Sequence, residues 1–223
     1  MTEPTFRKST AREYFESIVI AVVLALFVRT FVVQAFKIPS GSMEPNLLVG
    51  DHLLVNKFVF APTASALEDA LLPIRDIERG DIIVFKYPEE PERDFIKRVI
   101  GLPGDTIEVR NRQVTINGSP IEEPYAHYMF PISDDESNGY DVRARYGPVT
   151  VPEGHYFMMG DNRDNSQDSR YWGFLPADYV KGRALMIYWS FEPSDPSQPG
   201  GPLSALTNFF TATRWDRLLH QIR

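Results

Sequence analysis

The stretch DIIVFKYPEEPERDFIKRVIGLPGDTIEVRNRQVTING, residues 81–118, decides the fold class, because short apolar runs alternate in it with turn residues. The runs have the length of β-strands and are bounded by Gly, Pro, Asn and Asp: Asp81–Tyr87, Asp94–Ile100, Asp105–Val109 and Gln113–Ile116. The dipeptide Asn117-Gly118 is typical of a tight turn. The stretch therefore predicts a β-rich fold.

The same pattern of short runs continues on both sides of this stretch. Further strands are predicted at His52–Phe60, Gly154–Met159 and Gly182–Trp189. Residues 119–148 are polar and lack a β period, so they predict a cap-like insertion in a framework formed by 37–118 and 149–192. A short helix is predicted around Ala64–Leu72.

Composition excludes several classes of function. The 223-residue chain has a formal net charge of −7, which argues against nucleic acid as a partner because the phosphates would not be neutralised. It has no cysteine, so it has no disulfides, no thiolate metal site and no cysteine nucleophile. Nothing in the pattern calls for a metal or a cofactor.

One strongly apolar segment lies near the N-terminus: SIVIAVVLALFVRTFVVQAF, residues 17–36. Twenty helical residues are about 30 Å long, which matches a hydrocarbon core, so we expect a transmembrane helix. Arg7, Lys8 and Arg12 precede it. The positive-inside rule therefore places residues 1–16 in the cytoplasm and the rest of the chain outside.

A cleavable signal peptide is the alternative interpretation of this N-terminus. A basic start, an apolar stretch and the small-residue pattern Val33-Gln34-Ala35 resemble a leader with its cleavage site. Arg29 interrupts the approach to that site, and apolar residues resume after it. These two features favour the anchor.

The C-terminal part, 193–223, is predicted to be a linker followed by an amphipathic tail. EPSDPSQPGG, residues 193–202, has the composition of a linker. Apolar residues then recur at helical spacing at Trp215, Leu218, Leu219 and Ile222. Either a terminal helix packed on the domain or an interfacial membrane helix fits this pattern.

A candidate nucleophile lies just after the apolar segment, in PSGSMEP, residues 39–45. Ser42 stands between a glycine and a bulky residue in a loop bounded by prolines, where its hydroxyl could be exposed. Such loops are far more often only structural. The surrounding residues do not match G-x-S-x-G, so a nucleophile elbow is not supported.

A candidate base lies in DFIKRVIGLPGD, residues 94–105. On a strand, Phe95, Lys97 and Val99 share one face, so Lys97 has apolar neighbours. Burial would lower the pKa of this amine and make it a usable general base. An ordinary solvent-facing lysine is the alternative.

A third segment, GDNRDNSQDSR, residues 160–170, is dense in charge yet lies between apolar runs. It fails as an EF-hand, because Ser166 occupies the glycine position and Trp172 the position of the bidentate glutamate. The histidines form no HExxH motif; they are His52, His127, His155 and His220. A Ser-His-Asp triad stays open, because triads assemble in space rather than in sequence.

Taken together and in order, these segments resemble the type I signal peptidases. The family's boxes are PSGSMEPNL (39–47), GDHLLVNK (50–57), RGDIIVFKYP (79–88), FIKRVIGLPGD (95–105) and GDNRDNSQDSRYWGF (160–174). They follow an N-terminal anchor, as in that family, and cover about a quarter of the chain. Each box alone could have a purely structural explanation. Five boxes in the order of the family favour the family resemblance over those explanations.

The resemblance implies a role for individual residues. Ser42 would be the nucleophile and Lys97 the general base, with Ser166 orienting the lysine amine. Ser40 would donate to the oxyanion hole. Two ion pairs would brace the site, Arg98 with Asp161 and Asp168 with Arg170. Six residues would line the pockets for the substrate's −1 and −3 side chains: Phe36, Ile38, Met43, Leu47, Phe95 and Ile96.

The resemblance also implies the fold, the substrate and the location. It implies a mainly β, coiled antiparallel sheet with a small cap, anchored by one helix in a bacterial cytoplasmic membrane with the catalytic part on the outer face. Its partners would be secretory preproteins and membrane lipid, with a secretion translocon as a further candidate. The alternative hypotheses are another Ser–Lys peptidase, such as a self-cleaving repressor-type protease or a pilin-system maturase, and a catalytically dead membrane-anchored binding protein.

Overall fold

The computed structural model describes residues 10–60, 74–130, 141–192 and 210–222. The helix predicted at Ala64–Leu72 and the linker predicted at 193–202 lie outside these residues, as do Arg7 and Lys8.

The N-terminal segment is a helix followed by a strand. Helix α1 covers Thr10–Phe27, a π-helical turn covers Val28–Val32, and strand β1 covers Val33–Lys37. None of the side chains of α1 is buried. Within the described parts of the chain, no helix combines the length and the apolarity needed to cross a membrane.

The prediction of a helix over residues 17–36 is wrong at its C-terminal end, where the chain forms β1 instead. Residues 33–36 pair in register with the next strand, from Val33 opposite Asn56 to Phe36 opposite Leu53. The run Phe31-Val32-Val33 has the composition of a strand as much as of a membrane helix, and pairing with a neighbouring strand decides between the two.

Eleven further strands of the described residues follow β1. They are β2 (Asp51–Asn56), β3 (Ile82–Lys86), β4 (Asp94–Gly101), β5 (Thr106–Arg110), β6 (Gln113–Ile116), β7 (Ser119–Pro120), β8 (Arg145–Thr150), β9 (His155–Met159), β10 (Leu175–Pro176), β11 (Val180–Ser190) and β12 (His220–Gln221). A short helix, α2 (Ser169–Trp172), lies between β9 and β10.

The strands form two sheets. The larger has the order β1-β2-β11-β3-β4-β9-β10, with β12 added to β11, and the smaller has the order β7-β6-β5-β8. Every pairing between these strands is antiparallel. The mainly β prediction is confirmed, and each predicted strand is present with its ends shifted by a few residues.

Two strands begin inside the range assigned to the insertion, the two-residue β7 and the longer β8. Strand β8 starts at Arg145 and pairs with β5. Tyr146 and Val149 pack against the apolar cluster beneath the smaller sheet, which explains why this polar stretch is extended. The division of the chain into framework and insertion stays a prediction.

The amphipathic helix predicted for the tail does not form. A 3₁₀ turn covers Trp215–Arg217, and β12 then pairs with β11 through Gln221 opposite Met186. Ile222 is buried in the same apolar cluster as Leu47, whereas Leu219 points outward. The helical spacing fails because β11, beyond its pairing with β3, leaves backbone groups at Met186 and Ile187 that bind the tail as a strand.

Strand β4 separates two apolar clusters. Ile96 belongs to one, with Ile38, Met43 and Leu47. Val99 belongs to the other, with Phe95 packed against it. Alternate residues of β4 therefore face different cores, as the sequence predicts.

Candidate active site

Ser42 lies in a tight turn that follows β1. The turn is a 3₁₀ segment, Gly41–Met43, closed by hydrogen bonds from Glu44 N–H to the Gly41 carbonyl (3.2 Å) and from Leu47 N–H to the Met43 carbonyl (2.9 Å). Ser42 is 7% exposed and Met43 is fully buried. The packing of Met43 in the core thus fixes the turn that carries the serine.

Lys97 reaches this serine from β4. Its Nζ lies 2.7 Å from Ser42 Oγ and 3.0 Å from the carbonyl oxygen of Ile96. The Lys97 side chain is only 3% exposed. The amine also lies 5.2 Å from the centre of the Phe95 ring. The structure therefore brings the two predicted catalytic residues into hydrogen-bond contact across 55 residues of sequence.

The surroundings of Lys97 lower its basicity. Burial lowers the pKa of Lys97 from 10.5 to about 8, although the charges of Asp168 and Asp161 act in the opposite direction. A shift of this size corresponds to roughly 3 kcal/mol against the charged form. At neutral pH about a tenth of the amine is then neutral and able to accept a proton.

Two buried ion pairs lie beside this contact. Arg98 binds Asp161 through two hydrogen bonds of 2.8 and 2.7 Å, and Arg170 binds Asp168 through two of 2.8 Å. Burial alone would raise the pKa of Asp168, but the Arg170 charge and the hydrogen bonds from Arg170 and the Gly160 N–H hold it below its usual value. The Asp168 carboxylate therefore stays charged and keeps Arg170 in place.

The structure places the two other predicted serines differently. Ser166 is buried, and its hydroxyl helps to hold the pKa of the Asp168 carboxyl below its usual value. Ser40 is exposed at the start of the Ser42 turn, in extended conformation. Their predicted roles in orienting Lys97 and in the oxyanion hole stay predictions.

The predicted pocket residues divide between the two faces of β4. Ile38, Met43, Leu47 and Ile96 share one cluster with Phe36 packed against it, whereas Phe95 packs on the other side. Four of these side chains are nearly inaccessible, so they can form the floor of a shallow pocket but not a deep one.

Sequence reasoning missed residues that hold the Ser42 turn. Asn162 donates its backbone N–H to the Ser42 carbonyl and its amide to the Gly41 carbonyl, both at 3.1 Å. A Cβ added to Gly160 would overlap Ser166 Oγ and the Ser42 carbonyl oxygen. Gly160 and Asn162 both lie in the 160–174 box. Their positions beside charged residues were the only sequence feature that could have pointed to a role in holding the turn.

None of the four histidines takes the position of Lys97 beside Ser42 Oγ. His52 packs edge-on against Tyr188, and its pKa is lowered by burial and by the charge of Lys37, against Asp51. His127 pairs by its backbone with Asn162. The hydrogen bonds of the described residues place no histidine side chain on Ser42 Oγ.

Comparisons with known proteins identify the family of the chain. The family model described as "Signal peptidase, peptidase S26" matches residues 11–189. Signal peptidase I of Pseudomonas aeruginosa is 38% identical to this chain, in a match that covers 88% of this chain and 76% of the relative. Signal peptidase I of Aquifex aeolicus is 35% identical to this chain, in a match that covers 90% of this chain and 93% of the relative.

A solved structure is also similar. A crystal structure described as a signal peptidase I from Enterococcus faecalis V583 shares 38% identity, covers 49% of this chain and 97% of its own, and superposes with a TM-score of 0.40. From the family match over residues 11–189 and the relatives above, the chain belongs to the signal peptidase family, peptidase S26, and is a serine peptidase, a hydrolase of peptide bonds.

Proposed function

We propose that this chain is a membrane-bound type I signal peptidase that removes signal peptides from secreted preproteins with a Ser42–Lys97 dyad. The observation that carries the dyad is the 2.7 Å contact between Lys97 Nζ and Ser42 Oγ in a buried site. A lysine with a pKa of about 8 can act as a general base near neutral pH, and the contact places it within reach of the Ser42 proton.

The proposed reaction is acyl transfer in two steps. Neutral Lys97 accepts the Ser42 proton while Oγ attacks the carbonyl carbon of the −1 residue, and the oxyanion is held by the Ser42 N–H and the Ser40 hydroxyl. The C–N bond then breaks, and the Lys97 ammonium gives its proton to the leaving amine. Water attacks the acyl-enzyme with Lys97 again as base, which releases the signal peptide and restores Ser42.

An extended substrate can approach along β1. Among the described strands, β1 pairs with β2 and with no other strand, so it is an edge strand that runs directly into the Ser42 turn. A peptide paired with this edge would place its −1 and −3 side chains on one face. The nearly closed floor of Ile38, Met43, Leu47 and Ile96 then admits small side chains only.

We also propose that α1 attaches the chain to lipid. Its apolar residues are more than half exposed at Ile18, Val22 and Leu24, which is unfavourable in water over a whole helix. Ser42 follows the end of β1 by five residues, so the chain keeps it within about 20 Å of that strand. The enzyme and a membrane-bound preprotein would then meet in two dimensions.

The dyad is tested by detergent-solubilised protein and a preprotein with Ala at −1. Ser42→Ala and Lys97→Ala should each abolish cleavage with the fold intact, and the double variant should be no worse than either, because the two residues act as a unit. More than a tenth of wild-type activity in either variant contradicts the dyad. Equal cleavage of a matched preprotein with Phe at −1 contradicts the pocket.

A further inference from the structure

Part of the predicted insertion lies directly against the segment that holds the Ser42 turn. His127 donates its N–H to the Asp161 carbonyl (2.7 Å), and Arg163 donates its N–H to the His127 carbonyl (2.9 Å). His127 and Asn162 thereby form a parallel bridge. The 160–165 segment is therefore held from the side opposite to Ser42 by residues outside all five family boxes.

A buried ion pair fixes this contact. Glu123 binds Arg163 through two hydrogen bonds, 2.6 Å to Nη2 and 2.9 Å to Nη1, and the two side chains are 7% and 1% exposed. Arg163 also donates from Nε to the Gly160 carbonyl (3.1 Å). The bidentate geometry makes the guanidinium a rigid connector between the insertion and Gly160.

The other side of the 160–165 segment is hydrogen-bonded to the turn that carries the proposed nucleophile, Ser42. Asn162 binds the carbonyls of Gly41 and Ser42, and these bonds set the direction of the peptide groups in that turn. A displacement of Asp161 and Asn162 would therefore move Ser42 relative to Lys97. Small misplacements at a reacting centre have large effects on rate.

Tyr125, also from the predicted insertion, contacts the neighbouring Arg98–Asp161 ion pair. Its ring centre lies 4.0 Å from the Arg98 guanidinium carbon, and its carbonyl accepts a hydrogen bond from Asn46 (2.9 Å). The same Asn46 amide donates to Asp161 at 2.8 Å. The insertion thus covers the Arg98–Asp161 pair as well as anchoring the segment that contains it.

We propose that Glu123 is a positioning residue for cleavage, whose buried ion pair with Arg163 holds the Asp161–Asn162 segment against the Ser42 turn. This inference rests on the proposed function, because it takes Ser42 as the nucleophile. Glu123 does not touch the reacting atoms. It acts through Arg163, Gly160 and Asn162.

The test compares kcat and KM of full-length variants on a preprotein in detergent. Glu123→Gln keeps the shape of the side chain but leaves the Arg163 charge buried without its partner. We expect kcat per folded molecule to fall about tenfold or more, with KM within about twofold, because the proposed substrate contacts on β1 and β4 are unchanged. Circular dichroism at the assay temperature gives the folded fraction.

Two further variants make the test decisive. Glu123→Gln combined with Arg163→Gln removes both charges, so it can fold without an unpaired buried guanidinium, and its kcat should lie between the single variant and wild type. The matched control is Asp141→Asn, which breaks the exposed Arg143–Asp141 pair of the same insertion and should leave kcat unchanged.

The outcomes separate this inference from the proposed function. Glu123→Gln and the double variant at wild-type kcat, with only a lower unfolding temperature, would show that the pair is structural and overturn the inference. An equal loss of kcat in Asp141→Asn would overturn it as well. A wild-type enzyme that cleaves no preprotein, or an active Ser42→Ala, would instead count against the proposed function.

Discussion

At the scale of the residue, the burial of Lys97 is both a cost to stability and the source of its proposed reactivity. The amine sits between Phe95 and the Ser42 turn with 3% of its surface exposed. The folded-state pKa is about 8 and the unfolded value 10.5, so the unfolded chain binds more protons between these values. Stability from this group therefore rises with pH across that window and is lowest below pH 8.

The same pKa predicts the pH dependence of cleavage. Because only neutral Lys97 can accept the serine proton, kcat/KM should rise with pH through an apparent pKa of about 8 and level off above it. The measurement is the pH profile of kcat/KM for wild type beside four single variants: His52→Ala, His127→Ala, His155→Ala and His220→Ala. A limb near 6.5 that disappears in one of these variants would identify a histidine as the base instead.

At the scale of the element, the two faces of β4 carry side chains with different proposed roles. Lys97 turns toward Ser42 and Arg98 toward Asp161, so consecutive residues serve the proposed chemistry and its support. Strand alternation made the separate faces of β4 predictable. The partners were not predictable from spacing, because they lie 55 and 63 residues away, and only the family resemblance named them.

Other elements show why sequence patterns failed where they did. β1 begins within the apolar run Phe31-Val32-Val33, so periodicity could not tell its first residues from the end of a helix. Glu123 and Tyr125 lie in a polar stretch without a motif, and their contacts depend on the folded arrangement of 160–165. In the tail, the spacing of Leu218, Leu219 and Ile222 fitted a helix, but pairing with β11 overrode it.

The tail element gives a stability prediction. Arg217 binds Asp51 at 2.7 Å and the Asn46 carbonyl at 2.8 Å, and Asp51 is fully buried. Arg217→Ala should lower the free energy of unfolding by about 1–3 kcal/mol, because it removes a charged donor from a buried carboxylate. Urea denaturation measures this.

The matched control for the tail is Arg110→Ala. It breaks an ion pair with Glu108 in which the arginine is 70% exposed, so its effect should stay under about 0.5 kcal/mol. Equal denaturation midpoints for the two variants would show that the tail contributes little to the stability of the domain.

At the scale of the whole molecule, the proposed attachment of α1 to lipid predicts on which side of the membrane the catalytic part lies. If α1 is held by lipid with its N-terminus in the cytoplasm, protease added to intact spheroplasts should degrade the catalytic part. Complete protection until the membrane is lysed would mean the opposite orientation. A mature N-terminus mapped at Phe36 would identify Val33-Gln34-Ala35 as a cleavage site and remove the anchor.

The strand order has a consequence for when the enzyme becomes active. The turn with the proposed nucleophile adjoins β1 and β2, Lys97 lies on β4 beside β3, and β11 separates these two hairpins in the sheet. Each hairpin can pair locally as it is synthesised, but Val180–Ser190 must be made before they are joined. With the proposed dyad, a nascent chain that ends before Val180 would carry both reactive side chains and no working protease. Latency during synthesis would then follow from the order of the strands.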